Sequence, residues 1–204
     1  LISYVTFMKH AEKVTKSAPA SRPALKGVYH APDGMLYVTD SHRLYAAKHV
    51  HSHAETSVVD PKNGGTIDGS YPDVSRLIPN RADAKYIARL NVKEALNAFT
   101  ALLKANQVVG KGEERVEVRP IDEGTKIAFV AENRAMTASY EVLTQEGEIE
   151  PVTFDTTFMV DALKLFKDAG ITEAELRFYG SLRPFTLTVG DDELLALISP
   201  KRTN

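Results

Sequence analysis

The chain has 204 residues, of which 43% are apolar and 25% charged, and 25 Lys and Arg set against 27 Asp and Glu leave a formal net charge of −2. That is enough sequence for one large or two small domains with a real core, and any DNA-facing charge must be segregated onto one surface because the bulk balance is not basic. The absence of cysteine excludes disulfides, thiolate metal sites and a Cys nucleophile, and no apolar run approaches the roughly 18–20 residues that span a bilayer.

In chain order, the opening LISYVTFMKHAEK lacks the charged, apolar and small-residue regions of a secretory signal, so a cytoplasmic address with no membrane partner is the expectation. A short strand is predicted at Tyr4–Phe7, running into a helix whose apolar stripe is Phe7, Met8, Ala11 and Val14 and which closes before Pro19 and Pro23. Strands follow at Leu25–His30 and Met35–Thr39 across the turn Pro32-Asp33-Gly34, then at Arg43–Val50. Residues 51–80, rich in Gly, Pro, Ser and Asp, read as loop with short extended pieces.

A second segment opens with a strand at Tyr86–Leu90, and Asn91 caps a helix lined by Val92, Ala95, Leu96, Phe99 and Leu103. Its strands are Arg115–Ile121, Lys126–Ala131 and Arg134–Val142. The third segment runs from Val152–Phe154 through a helix capped by Asp155, which buries Met159, Ala162, Leu163 and Phe166 and ends at Gly170. Strands Glu175–Tyr179, Pro184–Val189 and Leu194–Ile198 complete it. The rhythm is a repeated βαβββ unit, which implies an α+β fold with helices on one face of antiparallel sheets.

Several strings carry a resemblance. RPALKGV at 22–28, VTDSHRLYAAK at 38–48, YPDVSRLIP at 71–79, ELRFYGSLRPFTLT at 175–188 and LISPKRT at 197–203 occur in the order of similar strings in the bacterial DNA polymerase III beta subunit, the sliding-clamp family. The resemblance implies the DNA-clamp (processivity) fold, no catalysis and no cofactor. By its reckoning residues 1–80 are a reduced middle domain, one unit plus an extended linker, and 81–204 a C-terminal domain of two units. The family's N-terminal domain and the second unit of its middle domain have no counterpart in the sequence. SVVDP at 57–61 resembles the first strand of that second unit.

The family turns its helices toward double-stranded DNA, which places Lys9, Lys13, Lys16, Lys93, Lys104, Lys164 and Lys167 on the polar stripes as non-specific phosphate contacts, with Asp161 beside the last two, away from the core. Arg22 matches a DNA-contacting loop position. Read from pattern alone, the same lysines are ordinary solvated surface. The resemblance also implies a cleft for peptides of polymerases and clamp loaders, walled by Leu25, Thr39, Ser41, His42, Arg43, Leu44, Pro79, Leu197, Ile198, Ser199, Pro200, Lys201 and Arg202. Ser199 and Lys201 stand where the family has apolar residues, which makes this cleft more polar. Arg43 has a structural alternative, pairing with Asp40 or Asp73, and Leu44 and Ile198 have the alternative of plain core.

The sharpest enzyme reading is His49-x-His51-x-His53 with Asp60, three imidazoles on one strand face around a metal; the plainer reading is a polar loop without metal. The expected function is a clamp-like, homo-oligomeric processivity factor that tethers a polymerase to DNA. The alternative is a non-ring adaptor or decoy that binds the same peptides without encircling DNA.

Overall fold

Ser3 opens the first helix by accepting a hydrogen bond from the Thr6 N–H, so α1 runs Tyr4–Ser17 in the computed structural model, which describes residues 2–202. The strand predicted at Tyr4–Phe7 is therefore the first turn of α1. Tyr4 stands one helical turn before Met8, and the stripe Phe7, Met8, Ala11, Val14 extends back through it. A 3-10 turn at Pro23–Lys26 takes the start of the next predicted strand, leaving β1 at Val28–His30, followed by β2 (Leu36–Thr39) and β3 (Arg43–Ala47). β3 stops short of Val50 because His49 takes φ +55, a left-handed conformation that ends pairing. β4 (Ser57–Val59) returns to pair with β1.

The rest follows the predicted rhythm: β5 (Tyr86–Asn91), α2 (Val92–Gln107), β6 (Val116–Ile121), β7 (Lys126–Glu132), β8 (Thr137–Gly147), β9 (Val152–Phe154), α3 (Thr156–Asp168), β10 (Glu173–Phe178), β11 (Phe185–Val189) and β12 (Leu194–Ile198). Asn91 and Asp155 cap their helices as expected, accepting from the N–H groups of Glu94 and Thr157. In α2 it is Leu102, one turn on from Phe99, that is fully buried, with Leu103 half-buried beside it.

All pairings are antiparallel, in the order β4-β1-β2-β3-β12-β11-β10-β5-β8-β7-β6-β9. β3 and β12 join the first unit to the last, Arg43 opposite Ile198 through Ala47 opposite Leu194. β5 with β10 and β6 with β9 join the second and third units, and each of these units also closes on itself. β5 meets the end of β8, and beyond β12 the Lys201 N–H donates to the Thr153 carbonyl of β9. By this internal symmetry β8 is the counterpart of β12, yet residues 137–143 of β8 pair only with β7 among the described residues, whereas β12 carries β3 on its outer edge.

The helices share one face, with α3 packed against α1 on one side and α2 on the other. Beneath them Phe99, Phe129, Phe154, Phe185 and Phe178 form a chain of rings with successive centroids 4.7–6.2 Å apart. A second, smaller apolar cluster lies on the opposite face. It comprises Tyr37, Leu44, Ala46, Leu195 and Leu197 and is roofed by Val74, Tyr71 and Ile78 of the linker. Both faces of β3 and β12 are thus covered, which is why every residue in them is buried.

Candidate functional surfaces on the two faces of the sheet

On the helix face, Lys9, Lys13 and Lys16 keep 73%, 56% and 69% of their side chains exposed while each pairs with a carboxylate: Asp168 at 3.4 Å, Asp161 at 2.6 Å and Glu12 at 2.9 Å. Lys93, Lys104, Lys164 and Lys167 are exposed and make no ion pair among the described residues. The His10 Nε2 lies 2.8 Å from Asp168 and ties α1 to α3. That hydrogen bond, with Lys9 nearby, holds the Asp168 carboxyl below the usual carboxylate range. The helices therefore present one broad surface of mixed but lysine-rich charge.

Asp161 is not on that surface. It is buried at the α1–α3 interface, where its carboxylate accepts from Arg43 at 2.7 Å and from Lys13 at 2.6 Å. A carboxylate tolerates this burial because two cations and their hydrogen bonds replace its water. Arg43 is the centre of the arrangement. Its Nε donates to Asp40 at 3.1 Å, Nη2 reaches the Ser17 hydroxyl at 3.4 Å, and its carbon end sits 4.7 Å from the Phe158 ring. The partner Asp73 is instead engaged with Arg76. Next to Arg43, the Tyr45 hydroxyl is buried with no hydrogen-bond partner among the described residues, and burial pushes its ionisation strongly upward.

Strand alternation divides the residues assigned to the cleft. Arg43 and Ile198 point to the helix side, Ile198 into the main core and Arg43 into its ionic cluster. Leu44 and Leu197 point to the opposite face, in the second apolar cluster. The Thr39 N–H donates to the Tyr71 hydroxyl at 3.2 Å, and the Thr39 hydroxyl donates to the Arg43 carbonyl at 2.6 Å. Ser41 and His42 are exposed in the turn between β2 and β3, Ser41 with φ +80, and the Ser199 N–H donates to the His42 carbonyl. Pro79, Ser199 and Pro200 are half-buried; Lys201 and Arg202 are exposed, Lys201 drawn toward β9. Thr203, the last residue of the LISPKRT string, lies outside the described residues.

Arg22 borders the cleft. Its guanidinium is 3.4 Å from the Ser41 hydroxyl, and with Leu25, Asp68 and Pro72 it borders a cavity of ≈ 460 Å³. Sequence reasoning missed the tyrosines of this face. Tyr29 and Tyr71 stack 5.2 Å apart at 9°, with Tyr37 6.3 Å beyond Tyr29, and all three border a cavity of ≈ 280 Å³ next to Leu44's cluster. Tyr29 and Tyr37 form a cross-strand pair, so the aromatic alternation of their two strands was the available signal. Leu77, 57% exposed, projects from the linker.

The histidines do not assemble as their spacing suggested. His49 turns away at φ +55, and its place is taken by His30 of β1, whose ring lies 5.0 Å from His51 and 5.6 Å from His53. Among the described residues no group of three or more His, Asp or Glu is arranged to hold a metal ion, and no helix is long and apolar enough to cross a membrane. The ring nitrogens of His30 and His51 already have partners: Tyr4 and Val28 for the first, Met35 and the His53 N–H for the second.

No protein-family model matches the chain. It is similar to the beta sliding clamp of Lactococcus lactis subsp. lactis (strain IL1403), 30% identical over 143 residues that cover 68% of this chain and 36% of that protein. The beta sliding clamp of Bacillus subtilis (strain 168) is 30% identical over 141 residues, 67% of this chain and 35% of that protein. The matched stretch thus spans about a third of these relatives' length. Among solved structures, the DNA polymerase sliding clamp from Bacillus subtilis matches with a TM-score of 0.76 at 24% identity, over 98% of this chain and 63% of that one. The DNA polymerase III beta chain from Streptococcus pneumoniae TIGR4 matches with a TM-score of 0.77 at 22% identity, over 100% and 64%. The fold is therefore the antiparallel sheet with helices on one face that the repeated pattern predicted.

Proposed function

Since this chain belongs to the beta sliding clamp family, we propose that it is a non-catalytic, clamp-like processivity factor that lies along double-stranded DNA and tethers a polymerase or related protein. The observation that carries this reading is the division of labour between the two faces of one sheet. The helix face gathers Lys9, Lys13, Lys16, Lys93, Lys104, Lys164 and Lys167, and the opposite face holds a groove of Leu44, Leu197 and the linker residues over them. Lysines on helices meet phosphates without reading bases, which leaves the protein able to slide. The groove suits an apolar anchor of an extended peptide, with Ser41, His42, Arg22 and Ser199 as polar rim. Residues 1–80 and 81–204 are the two domains of this scheme, with the groove at their join.

Encircling DNA requires further copies, and the outer edge of β8 at residues 137–143, without a strand partner among the described residues, is the edge from which a ring closes. It occupies the position at which β12 receives β3. The adaptor reading is favoured by one observation, that every α1 lysine is already matched by a carboxylate. Retention on DNA separates the two. A clamp stays on nicked circular plasmid after dilution and is lost when the plasmid is linearised, with light scattering showing an oligomer. A strict monomer with no retention on either form leaves only the peptide-binding adaptor.

A further inference from the structure

We propose that His30, His51 and His53 form a pH-operated latch, fastening the segment after β3 and the edge strand β4 to β1. The rings lie within 5.0–5.6 Å of one another, His30 fully buried beneath His51 and the exposed His53. Their hydrogen bonds are those of neutral imidazole. The Val28 carbonyl can only accept, so the His30 Nδ1 carries the proton and its Nε2 accepts from the Tyr4 hydroxyl at 2.9 Å. The Met35 carbonyl likewise fixes the proton of His51 on Nε2, which leaves Nδ1 as acceptor for the His53 N–H at 3.1 Å. A proton on that Nδ1 abolishes the bond to His53, and a proton on the His30 Nε2 reverses the bond to Tyr4.

No counter-charge relieves His30. α1 presents the Tyr4 hydroxyl, β2 and β4 pair Leu36 and Ser57 with His30, and the loop presents His51 and His53; no carboxylate faces His30 among the described residues. Burial, with the two neighbouring rings, holds His30 below the usual imidazole value. A depressed base is neutral in the fold and charged in the open state, so the latch is closed above about pH 6.5 and weakens as the pH falls below it. β4 is a short edge strand, held by three paired residues on β1, a bridge from Val59 to Thr66 and the buried Val58. Opening therefore bares the edge of β1 and unseats Tyr29, one wall of the groove on the outer face.

Hydrogen exchange of the whole chain, corrected for intrinsic rates, tests this at about pH 7.5 and about pH 5.5, either side of the ordinary imidazole range. Amides of residues 49–59 should lose ~10-fold or more of their protection at the lower pH while β6 and β7 keep theirs. The double variant His51→Gln and His53→Gln keeps only His30 of the three rings to titrate, so it should lose less protection at the lower pH than the unaltered protein. Equal protection at both pH values in the unaltered protein overturns the proposal, as does a loss that persists undiminished in the double variant. Nitrogen-detected NMR of the unaltered protein gives a test independent of the variants: His30 should protonate below the ordinary imidazole range. Titration of His30 within or above that range overturns the latch. So does strong protection of residues 49–59 by Zn²⁺ at the higher pH, which would make the cluster a metal site.

Discussion

Arg43 shows what a buried charge requires. Its guanidinium is met by Asp40, Asp161, the Ser17 hydroxyl and the Phe158 ring, so strand, turn and two helices are organised around one side chain. Arg43→Ala leaves two buried carboxylates without their main partner and should cost about 3–5 kcal/mol, read as a fall in the denaturation midpoint. Lys13→Ala removes only an exposed partner of Asp161 and should cost below about 1 kcal/mol. The pairing with Asp40 was legible because it is three residues away in one turn; Asp161 is 118 residues away on another element, and no spacing announces it. The histidines fail for the complementary reason. Alternation presupposes an extended backbone, and His49 leaves it. Asp168 supplies the residue-level pH effect: its depressed carboxyl stabilises the α1–α3 contact above its unfolded value of about 4 and that contribution disappears as the pH falls through the folded value. Asp168→Asn should flatten the acid limb of stability against pH slightly, since the group is largely exposed.

At the scale of elements, helices α2 and α3 were readable because cap, apolar stripe and stop signal agree, and Asn91→Ala should lose about 1 kcal/mol of stability through the lost cap. α1 was misread at its start because Tyr4–Phe7 fits a strand and a helical turn equally well, and only the Ser3 cap decides. β8 was read five residues too short at its end: the prediction stopped at Val142 and the strand reaches Gly147. Its last residues are exposed and polar, and their strand character comes from pairing with β5, 56 or more positions earlier in the chain. Gly147 makes that seam. With φ +82 and the Lys85 carbonyl pressed against the place of a Cβ, it admits no side chain. Gly147→Ala should cost roughly 1–3 kcal/mol from the backbone conformation alone, and more from the collision. Differential exchange should locate the damage at Tyr86–Ala88 and 144–147, with the β3–β12 pairing untouched.

For the whole molecule, the order of the strings made the family visible while the bulk charge said nothing, because the seven helix lysines are a minority of the 25 Lys and Arg and are set against 27 Asp and Glu. What stayed illegible was the partition of the cleft: Leu44 and Arg43 are neighbours in sequence but lie on opposite faces, and the roof of Tyr71, Val74 and Ile78 comes from a segment without periodicity. The helix surface makes a prediction that separates clamp from solvated exterior. If phosphates meet these lysines, affinity for duplex DNA falls with salt at a logarithmic slope near −0.9 per phosphate neutralised and is indifferent to sequence. Lys164→Glu with Lys167→Glu strikes cations that have no carboxylate partner, so it should weaken binding and shallow that slope by about 1–2 units. Lys9→Glu with Lys16→Glu also leaves Asp168 and Glu12 facing new negative charge, so its loss should be larger than contact removal alone gives. Peptide binding in the groove should survive both, since the sheet lies between. An unchanged slope in both variants would return the lysines to ordinary surface and leave the groove as the working face.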